Sequence, residues 1–510
     1  MTECGIRYRV ADAERTCSRP SAAGEERCVF HLTPDERRTA DITSATLRAA
    51  FLADVDADDP SRQEYVDVHL EELDLSQLVV DGSDVAHVTF REVTIDGTLD
   101  LSESVVGHPV TIEECQIDSM DVTDAVFERQ VAIKGTVFGT PAASTTCLRA
   151  RRGSFERSLR ISDTRFDGSV EFAQCSVQGW LNFDSVTVEG RAHFPNVSFG
   201  TAQFVSTTFR DDVEFVGAAG EYATFDDTGV DESVTEIDLS EGSFDRLRIY
   251  PATDLECRLR DATISAGDLD QPDTGVATYD LTDATVGDVD LECEPETFDR
   301  YRFYRTRFDG FHFAAYRDLL RSNRWRLHEY IGDSDESDSI EGLEHTYLEA
   351  KQGASDAGDS ETASMFFVRE LRYRRRRYAA HARSADHSLT HRIDATVRWM
   401  TNGFLDAIAG YGERPGRTAA LALAVMVGSA FVYPASGGLS TGGEVVSYGS
   451  HGADAVLNGL YFSVVTFATL GLGDVHPVSD VGRFVAASEG LAGAFLTAVF
   501  VFSLARRVTR

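Results

Sequence analysis

The middle of the chain carries a regular pattern of bulky apolar, small and polar positions. From Ser158 to Val216 a bulky apolar residue recurs about every five to six positions, and the residue two positions before it is smaller or aliphatic. An α-helix would space its apolar residues by three and four, and an ordinary sheet would be interrupted by turns. An unbroken period of five to six is typical of the short sides of a coiled β-solenoid. The bulky positions are Phe166, Phe172, Val177, Phe183, Val188, Phe194, Phe199, Phe204, Phe209 and Phe215.

The same short unit occurs elsewhere in this region. It reads Asp74-Leu75-Ser76, Asp100-Leu101-Ser102, Asp121-Val122-Thr123-Asp124-Ala125, Asp238-Leu239-Ser240 and Asp280-Leu281-Thr282-Asp283-Ala284. These units resemble the pentapeptide-repeat family over about residues 65–313. The resemblance implies a right-handed quadrilateral β-helix in which four units make one coil, and about eleven coils fit. Because side chains would fill the interior, we expect a scaffold, a surface for a cytoplasmic protein partner, and no enzyme.

The segment after the repeat has a helical pattern. Residues 314–398 are predicted to be a helical linker, in which residues 343–352 and 361–383 form a helical hairpin. An acidic break at residues 332–342 predicts a hinge before the hairpin. The arginine run at residues 374–377 lies either on a solvated helix face or against anionic lipid headgroups.

Long apolar runs occur only after Thr418. Residues 418–437 and 484–505 are long enough to cross a bilayer as two spans of a pore domain, residues 399–510. The first ten residues contain no apolar stretch of signal-peptide length, so we expect the part before the spans to stay cytoplasmic. Arginines flank both runs, and the positive-inside rule therefore predicts a multi-pass cell-membrane protein with both termini in the cytoplasm. The flanking arginines are Arg414, Arg417, Arg506, Arg507 and Arg510.

A short apolar segment lies between the two predicted spans. Residues 457–468 are too short to cross a bilayer but long enough for a pore helix, which includes Thr466. They lead into Thr469-Leu470-Gly471-Leu472-Gly473-Asp474. The string resembles the potassium-channel signature, and the order of span, pore helix, filter and span resembles a two-transmembrane potassium channel. The resemblance implies a homotetramer in a lipid bilayer, with K⁺ as the permeant ion.

The residue types of the predicted filter suit its chemistry. A filter replaces the hydration shell of an ion with backbone carbonyls, and Gly471 and Gly473 supply the unusual dihedral angles that this requires. Thr469 is expected to add a hydroxyl ligand at the inner end. Asp474 is expected to raise the local cation concentration at the outer mouth.

The string departs from the family pattern at two positions. Leu470 replaces the usual valine and Leu472 the usual tyrosine, so the tyrosine hydroxyl that braces the family's filter is absent. Preference for potassium over sodium is therefore a prediction to be tested. A second GYG string at residues 410–412 precedes the first span and has no pore helix before it, so we do not assign it to the filter.

The second span contains one ionisable residue and two glycines after it. An unpaired charge inside a span is costly, so we expect Glu489 to face the pore, the rear of the filter or a polar partner. Gly490 and Gly493 either allow close helix packing or act as a gating hinge. The sequence leaves both roles open.

Four metal-binding side chains lie near the start of the chain. Cys4, Cys17, Cys28 and His31 offer three thiolates and one imidazole, which suit tetrahedral Zn²⁺. Residues 1–40 have no evident core without a metal, so we predict a zinc site; free cysteines are the alternative. A helical linker is predicted to follow at residues 41–64. The remaining cysteines are expected to be small core residues, namely Cys115, Cys147, Cys175, Cys257 and Cys293.

Charge separates the two parts of the chain. The 48 Lys and Arg residues and 84 Asp and Glu residues give a net charge of −36, which argues against a nucleic-acid partner. Only two of the basic residues are lysines, a bias that resembles proteins of haloarchaea and other extreme halophiles. The residues after position 359 hold 15 arginines and 11 acidic residues, so the excess negative charge belongs to the first 359 residues.

Two functions are compatible with these patterns. The first is a cation channel whose large cytoplasmic β-helix regulates or tethers the pore. The second is a non-conducting, membrane-anchored scaffold. The intact string from Thr469 to Asp474 favours the channel.

Overall fold

The computed structural model describes residues 3–10, 13–57, 59–82, 87–140, 146–211, 213–230, 236–294, 296–332, 338–384, 386 and 388–508. The chain divides into two compact units, Met1–Ser337 and Asp338–Arg510. Residues 333–337, at the centre of the predicted hinge, lie outside the described residues. A β-solenoid dominates the first unit, and the second unit is mainly helical.

Ten α-helices occur among the described residues. In chain order, α1 to α10 are Pro34–Thr39, Ser44–Asp56, Arg317–Ser322, Ile340–Asp356, Ser360–Arg383, Leu389–Ala409, Pro415–Ala435, Tyr448–His451, Asp454–Phe467 and Asp480–Val508. Two short 3₁₀ helices are Phe298–Arg300 and Phe313–Tyr316. The segment predicted as a helical linker, residues 41–64, is helical only in α2, because the first solenoid strand already begins at Glu64.

The strands in the described ranges form three separate sheets. The antiparallel hairpin of β1 and β2 is Arg7–Val10 with Ala13–Thr16. The solenoid strands β3 to β34 are, in order, Glu64–Val66, His69–Leu70, Leu73–Asp74, Val79–Val80, Val88–Arg91, Thr94–Asp100, Val105–Val106, Val110–Glu113, Gln116–Asp121, Val126–Phe127, Val131–Lys134, Val137–Phe138, Thr146–Arg151, Ser154–Phe155, Leu159–Ser162, Arg165–Phe166, Ser169–Ala173, Ser176–Asp184, Thr187–Val188, Ala192–His193, Ser198–Val205, Thr208–Phe209, Val213–Glu214, Ala219–Val230, Glu236–Asp238, Ser243–Pro251, Leu255–Arg258, Thr263–Leu269, Ala277–Asp280, Thr285–Leu291, Tyr301–Arg302 and Arg307–Phe308. The last sheet, in the second unit, contains β35 to β37, which are Leu439–Thr441, Glu444–Val446 and Val475–Pro477.

The solenoid strands pair in parallel with the strand one coil further along the chain. Val110 lies beside Val131, and Phe183 beside Phe204, which in turn lies beside Phe225, so one coil takes about 21 residues. This length corresponds to four sides of about five residues, the period read from the sequence. The described strands make a β-solenoid of about 10 coils, close to the predicted eleven.

The predicted inward positions are buried. All ten bulky residues from Phe166 to Phe215, and all ten smaller residues two positions before them, are less than 9% exposed. Aromatic rings stack from coil to coil: Phe172, Phe194 and Phe215 form one column, with ring centroids 5.4 and 4.5 Å apart. Burial of these inward side chains, aromatic and aliphatic, provides apolar stabilisation of the coil.

Two local features occur at the corners of the solenoid: a hydrogen bond from the backbone to an aspartate side chain, and a residue with positive φ. In each Asp-Leu-Ser or related unit, the aspartate accepts a hydrogen bond from the backbone N–H two residues later; the Ser102 N–H, for example, donates to the Asp100 carboxylate at 2.8 Å. In addition, a residue with positive φ recurs about every eleven positions. Along five successive corners these residues are Asp163, Gln174, Ser185, Asn196 and Ser206.

The second unit begins with the predicted helical hairpin, formed by α4 and α5. Its arginine run is engaged within the chain: Arg374 and Arg377 reach Glu344 at 2.9 and 3.1 Å, and Arg375 reaches Asp406 of α6 at 3.0 Å. These ion pairs favour a structural role for the run over contact with lipid headgroups. Helix α6 continues without a break across the boundary predicted at residues 398/399.

Candidate functional site

The candidate filter follows the apolar helix α9, and two further apolar helices, α7 and α10, pack against α9. Helices α7 and α10 are long and apolar enough to cross a membrane, whereas α9, with 14 residues, is apolar but shorter. The spans predicted at residues 418–437 and 484–505 fall on α7 and α10, and the pore helix predicted at residues 457–468 falls on α9. The second GYG string instead ends α6, where Gly410 caps the helix and Tyr411 donates a hydrogen bond to Asn402 at 2.7 Å.

The C-terminal turn of α9 determines how the chain enters the filter. The backbone N–H of Leu470 donates to the carbonyl of Val465, and that of Thr469 donates to the carbonyl of Thr466, both at 3.0 Å. This pair of bonds is a Schellman motif, in which the residue after the cap has a left-handed conformation. Thr469 occupies that position with a φ of 54°. A β-branched residue rarely adopts this conformation, so the backbone is strained where the filter begins.

Positive φ values alternate along the candidate filter. After Thr469, the residues with positive φ are Gly471 at 58° and Gly473 at 76°. Only glycine adopts this region without steric cost, which explains the residue type at both positions. No atom lies within 4 Å of a Cβ built on Gly471, so any cost of a side chain there comes from the backbone conformation.

The other filter residues expose large side chains in the single chain. Leu470 and Leu472 are 63% and 61% exposed. The carboxylate of Asp474 accepts a hydrogen bond from the hydroxyl of Tyr461 on α9 at 2.8 Å. Asp474 is therefore connected to the pore helix, in addition to its predicted place at the outer mouth.

Glu489 lies at the junction of the three apolar helices and is 3% exposed. Its two carboxylate oxygens accept hydrogen bonds from Tyr433 of α7 and Ser463 of α9. Ser463 also lies 2.9 Å from the backbone carbonyl of Met426 on α7. Three surroundings were predicted for Glu489, and the structure shows the third, polar partners. One of these partners, Ser463, lies on α9, the helix that leads to the candidate filter.

The two glycines after Glu489 have different surroundings. A Cβ built on Gly493 would lie 2.2 Å from the carbonyl oxygen of Phe467, at the end of α9. A Cβ on Gly490 would lie 3.8 Å from the carbonyl oxygen of Thr466, an ordinary contact. Gly493 is therefore required for the close approach of α10 to α9, whereas Gly490 is not.

The sequence comparison supports this arrangement of helices. Residues 419–510 match the family model described as "Ion channel". The C-terminal helices thus fit a membrane-embedded ion-channel pore domain with two apolar spans. No curated protein shows significant similarity to the chain.

A second candidate site lies outside the pore domain, at the start of the chain. The ligand atoms of Cys4, Cys17, Cys28 and His31 all lie within 4.8 Å of one another, and the three cysteines are buried. The Nδ1 atom of His31 is 3.4 Å from the sulfur of Cys4 and 3.2 Å from that of Cys28. The sulfurs of Cys17 and Cys28 are 4.0 Å apart. With Zn–S bonds of about 2.3 Å, a tetrahedral ion would separate its sulfur ligands by about 3.8 Å, so the set fits one metal ion.

The local fold brings these four residues together. Cys4 and Cys17 flank the β1–β2 hairpin, and Cys28 and His31 lie on one turn closed by a bond from the His31 N–H to the Cys28 carbonyl at 3.0 Å. The hydrogen bond between Cys17 and Cys28 lowers the pKa of Cys17 and raises that of Cys28. The Nε2 atom of His31 is 3.0 Å from the carbonyl of Val66 in the first solenoid strand, which orients Nδ1 toward the thiols.

Sequence reasoning missed several residues of the pore domain. Tyr433, Tyr461 and Ser463 each contact a predicted residue, yet none belongs to the filter string. In the sequence, the feature that could have identified these residues is a hydroxyl side chain on an otherwise apolar helix. That signal becomes specific only when the partner across the helix interface is known.

Proposed function

We propose that the protein is a potassium-selective channel of the cell membrane, assembled as a homotetramer. The observation that carries this proposal is the segment Thr469–Asp474. This segment follows a short apolar helix that lies between the two spans along the chain. Every second residue from Thr469 to Gly473 has a positive φ. A backbone with alternating dihedral angles can point successive carbonyl groups to one side, where their oxygens replace the hydration shell of K⁺.

Tetramerisation follows from the chemistry of the filter. One chain supplies only a quarter of the carbonyl rings that a dehydrated cation needs. The exposed side chains of Leu470 and Leu472 would be covered by neighbouring subunits. Light scattering in mild detergent tests this directly, and a monomer or dimer there, with agreement from crosslinking in the membrane, would contradict the channel.

The solenoid has a supporting role in this proposal. Its acidic outer surface and filled interior suit a cytoplasmic regulatory or scaffold domain of the pentapeptide-repeat type that contacts a protein partner, rather than a nucleic acid or a substrate. Both termini would lie in the cytoplasm. The excess of acidic residues suits a cell interior of high salt concentration.

Ion flux through purified protein in liposomes tests the channel. We expect K⁺ to pass faster than Na⁺. Gly471→Ala places a side chain at a positive φ, which costs about 1–2 kcal/mol in each of four chains, so selectivity or flux should collapse. Leu472→Tyr, which adds the family's usual side chain, is the matched control and should conduct. Equal passage of Na⁺ and K⁺ would refute selectivity, and absence of all flux would favour the membrane-anchored scaffold.

We propose further that Cys4, Cys17, Cys28 and His31 bind one Zn²⁺. The observation behind this proposal is the convergence of three buried sulfurs and one imidazole nitrogen at distances that suit a tetrahedral ion. The purified full-length protein should contain about one zinc per chain by elemental analysis. Cys17→Ser should lower the zinc content, whereas Cys293→Ser, in the solenoid, should not. Less than a tenth of an equivalent in the wild type would contradict the site.

A further inference from the structure

A carboxyl group joins three helices of the pore domain behind the candidate filter. Glu489 of α10 bonds Tyr433 of α7 and Ser463 of α9, and all three residues are at most 3% exposed. The separations along the chain are 56 and 26 residues, so these bonds connect elements that no local interaction joins. A buried carboxyl group inside a span is costly unless its oxygens are satisfied, and apolar side chains would pack there without that cost.

The helix held by these bonds is the one that leads into the filter. The last turn of α9 forms the Schellman motif that places Thr469 in its strained conformation. A displacement of α9 would therefore move the first carbonyl groups of the filter. Ser463 lies three residues before Thr466, whose carbonyl accepts the bond that orients Thr469. The contact with Glu489 is thus within two turns of the filter entrance.

Close backbone contacts also bring α9 against α7 and α10. A Cβ on Gly459 of α9 would lie 2.3 Å from the carbonyl oxygen of Ala430 on α7, and Gly493 of α10 approaches Phe467 equally closely. These contacts limit how near the helices can come, but they do not prevent α9 from sliding or separating. Directional hydrogen bonds from Glu489 to both sides supply that restraint.

We propose that Glu489 is a positioning residue for ion selectivity. Its carboxyl group bridges Tyr433 and Ser463, holds α9 at a defined height between α7 and α10, and thereby sets the geometry of the carbonyl groups from Thr469 onward. This inference rests on the proposed channel function. It assigns to Glu489 an effect on the choice between K⁺ and Na⁺, beyond packing or the opening of the gate.

Four substitutions test the bridge in the full-length protein. Glu489→Leu removes the bonds to Tyr433 and Ser463 at similar volume, and Glu489→Gln keeps the size with one acceptor oxygen and one donor NH2 group. Tyr433→Phe removes the bond to Glu489, and Ser463→Ala removes the bond to Glu489 together with the contact to the Met426 carbonyl. The matched control is Ser503→Ala, because Ser503 is also buried but, within the described part of the chain, bonds the Val499 carbonyl of its own helix, at 2.8 Å, and no other helix. The measured quantities are the K⁺/Na⁺ permeability ratio in liposomes and the tetramer content by light scattering.

We expect Glu489→Leu to lower the permeability ratio by at least about fivefold, the equivalent of one lost hydrogen bond, while the protein still forms tetramers. Tyr433→Phe and Ser463→Ala should each lower the ratio by a smaller factor, and Tyr433→Phe should not lower it further when combined with Glu489→Leu. Glu489→Gln should restore most of the ratio, and Ser503→Ala should leave it unchanged.

The outcomes separate this inference from the proposed function. A wild-type ratio in Glu489→Leu, or in both Tyr433→Phe and Ser463→Ala, overturns the positioning role. An equal loss in Ser503→Ala also overturns it, because the effect would then follow from any cavity in the span. If Glu489→Leu does not assemble, the two hydroxyl-deletion variants decide the question. Absence of flux in the wild type instead contradicts the channel itself.

Discussion

Replacing Gly493 with alanine tests how tightly the inner helix packs on the pore helix. The new Cβ would lie 2.2 Å from the carbonyl oxygen and 2.9 Å from the carbonyl carbon of Phe467. Both atoms belong to the backbone, which cannot rotate away as a flexible side chain would. Helix α10 or the end of α9 must therefore move by about 1 Å to reach an ordinary contact.

The size of the effect follows from two opposing terms. Overpacking of this kind costs up to about 3 kcal/mol per chain, and the higher helix propensity of alanine over glycine returns about 1 kcal/mol. Gly493→Ala should therefore destabilise each chain by about 2 kcal/mol. Gly490→Ala is the matched control on the same helix. Its Cβ meets the nearest atom at 3.8 Å, so it should stabilise the helix by up to about 1 kcal/mol.

Thermal unfolding of the purified assembly in detergent measures this difference. Gly493→Ala should unfold at a lower temperature than the wild type, and Gly490→Ala at an equal or higher one. K⁺ flux in liposomes, measured on the same samples, should fall only in Gly493→Ala. Equal stability of the two variants would refute the packing argument. If Gly493→Ala kept its stability but changed the opening of the channel, Gly493 would instead be a hinge.

Three further predictions concern other parts of the chain. Asp54→Ala removes the carboxylate that pairs with the buried Arg19 at 2.5 Å, and should cost about 3–5 kcal/mol in urea unfolding, whereas Asp124→Ala, in an exposed ion pair, should leave the unfolding midpoint nearly unchanged. Burial and the nearby Glu292 raise the pKa of Asp270 to about 6, so its ionisation destabilises the solenoid as pH rises; Asp270→Asn should raise the melting temperature at pH 7.5 but hardly at pH 4. Tyr461→Phe removes the exposed bond to Asp474 and should leave the filter intact, so that flux persists; complete loss of flux would show that Asp474 depends on this bond.

The period of the repeat was sufficient to predict the solenoid. Each side of the coil is as long as one sequence unit, so the inward positions of Phe172 and Phe194 can be assigned without knowing which strands pair. The corners could not be assigned in this way. Gln174 and Asn196 have positive φ although neither is glycine, because coils stacked above and below impose the bend on whichever residue occupies the corner.

At the start of the chain, too, the sequence predicted the residue types of the site, and the tertiary structure decided a contact that supports it. The residue types of Cys4, Cys17, Cys28 and His31 were enough to predict a metal site, since few other chemistries use three thiols and an imidazole. That His31 also contacts the carbonyl of Val66, in the first coil, depends on how the hairpin and α2 fold against the solenoid. Such a contact joins residues 35 positions apart and leaves no local pattern.

The pore domain could be predicted from sequence because its apolar spans and its filter motif are each formed by consecutive residues. Apolar length predicts the spans, and two glycines within Thr469–Asp474 predict a backbone that bends in the left-handed region. The sequence also indicated that Glu489 needs a polar partner, since a lone carboxyl group is unstable inside a span. Only the tertiary structure decided that the partners are Tyr433 and Ser463, and that Gly493 rather than Gly490 contacts the pore helix, because these relations depend on how three helices rotate and pack against one another.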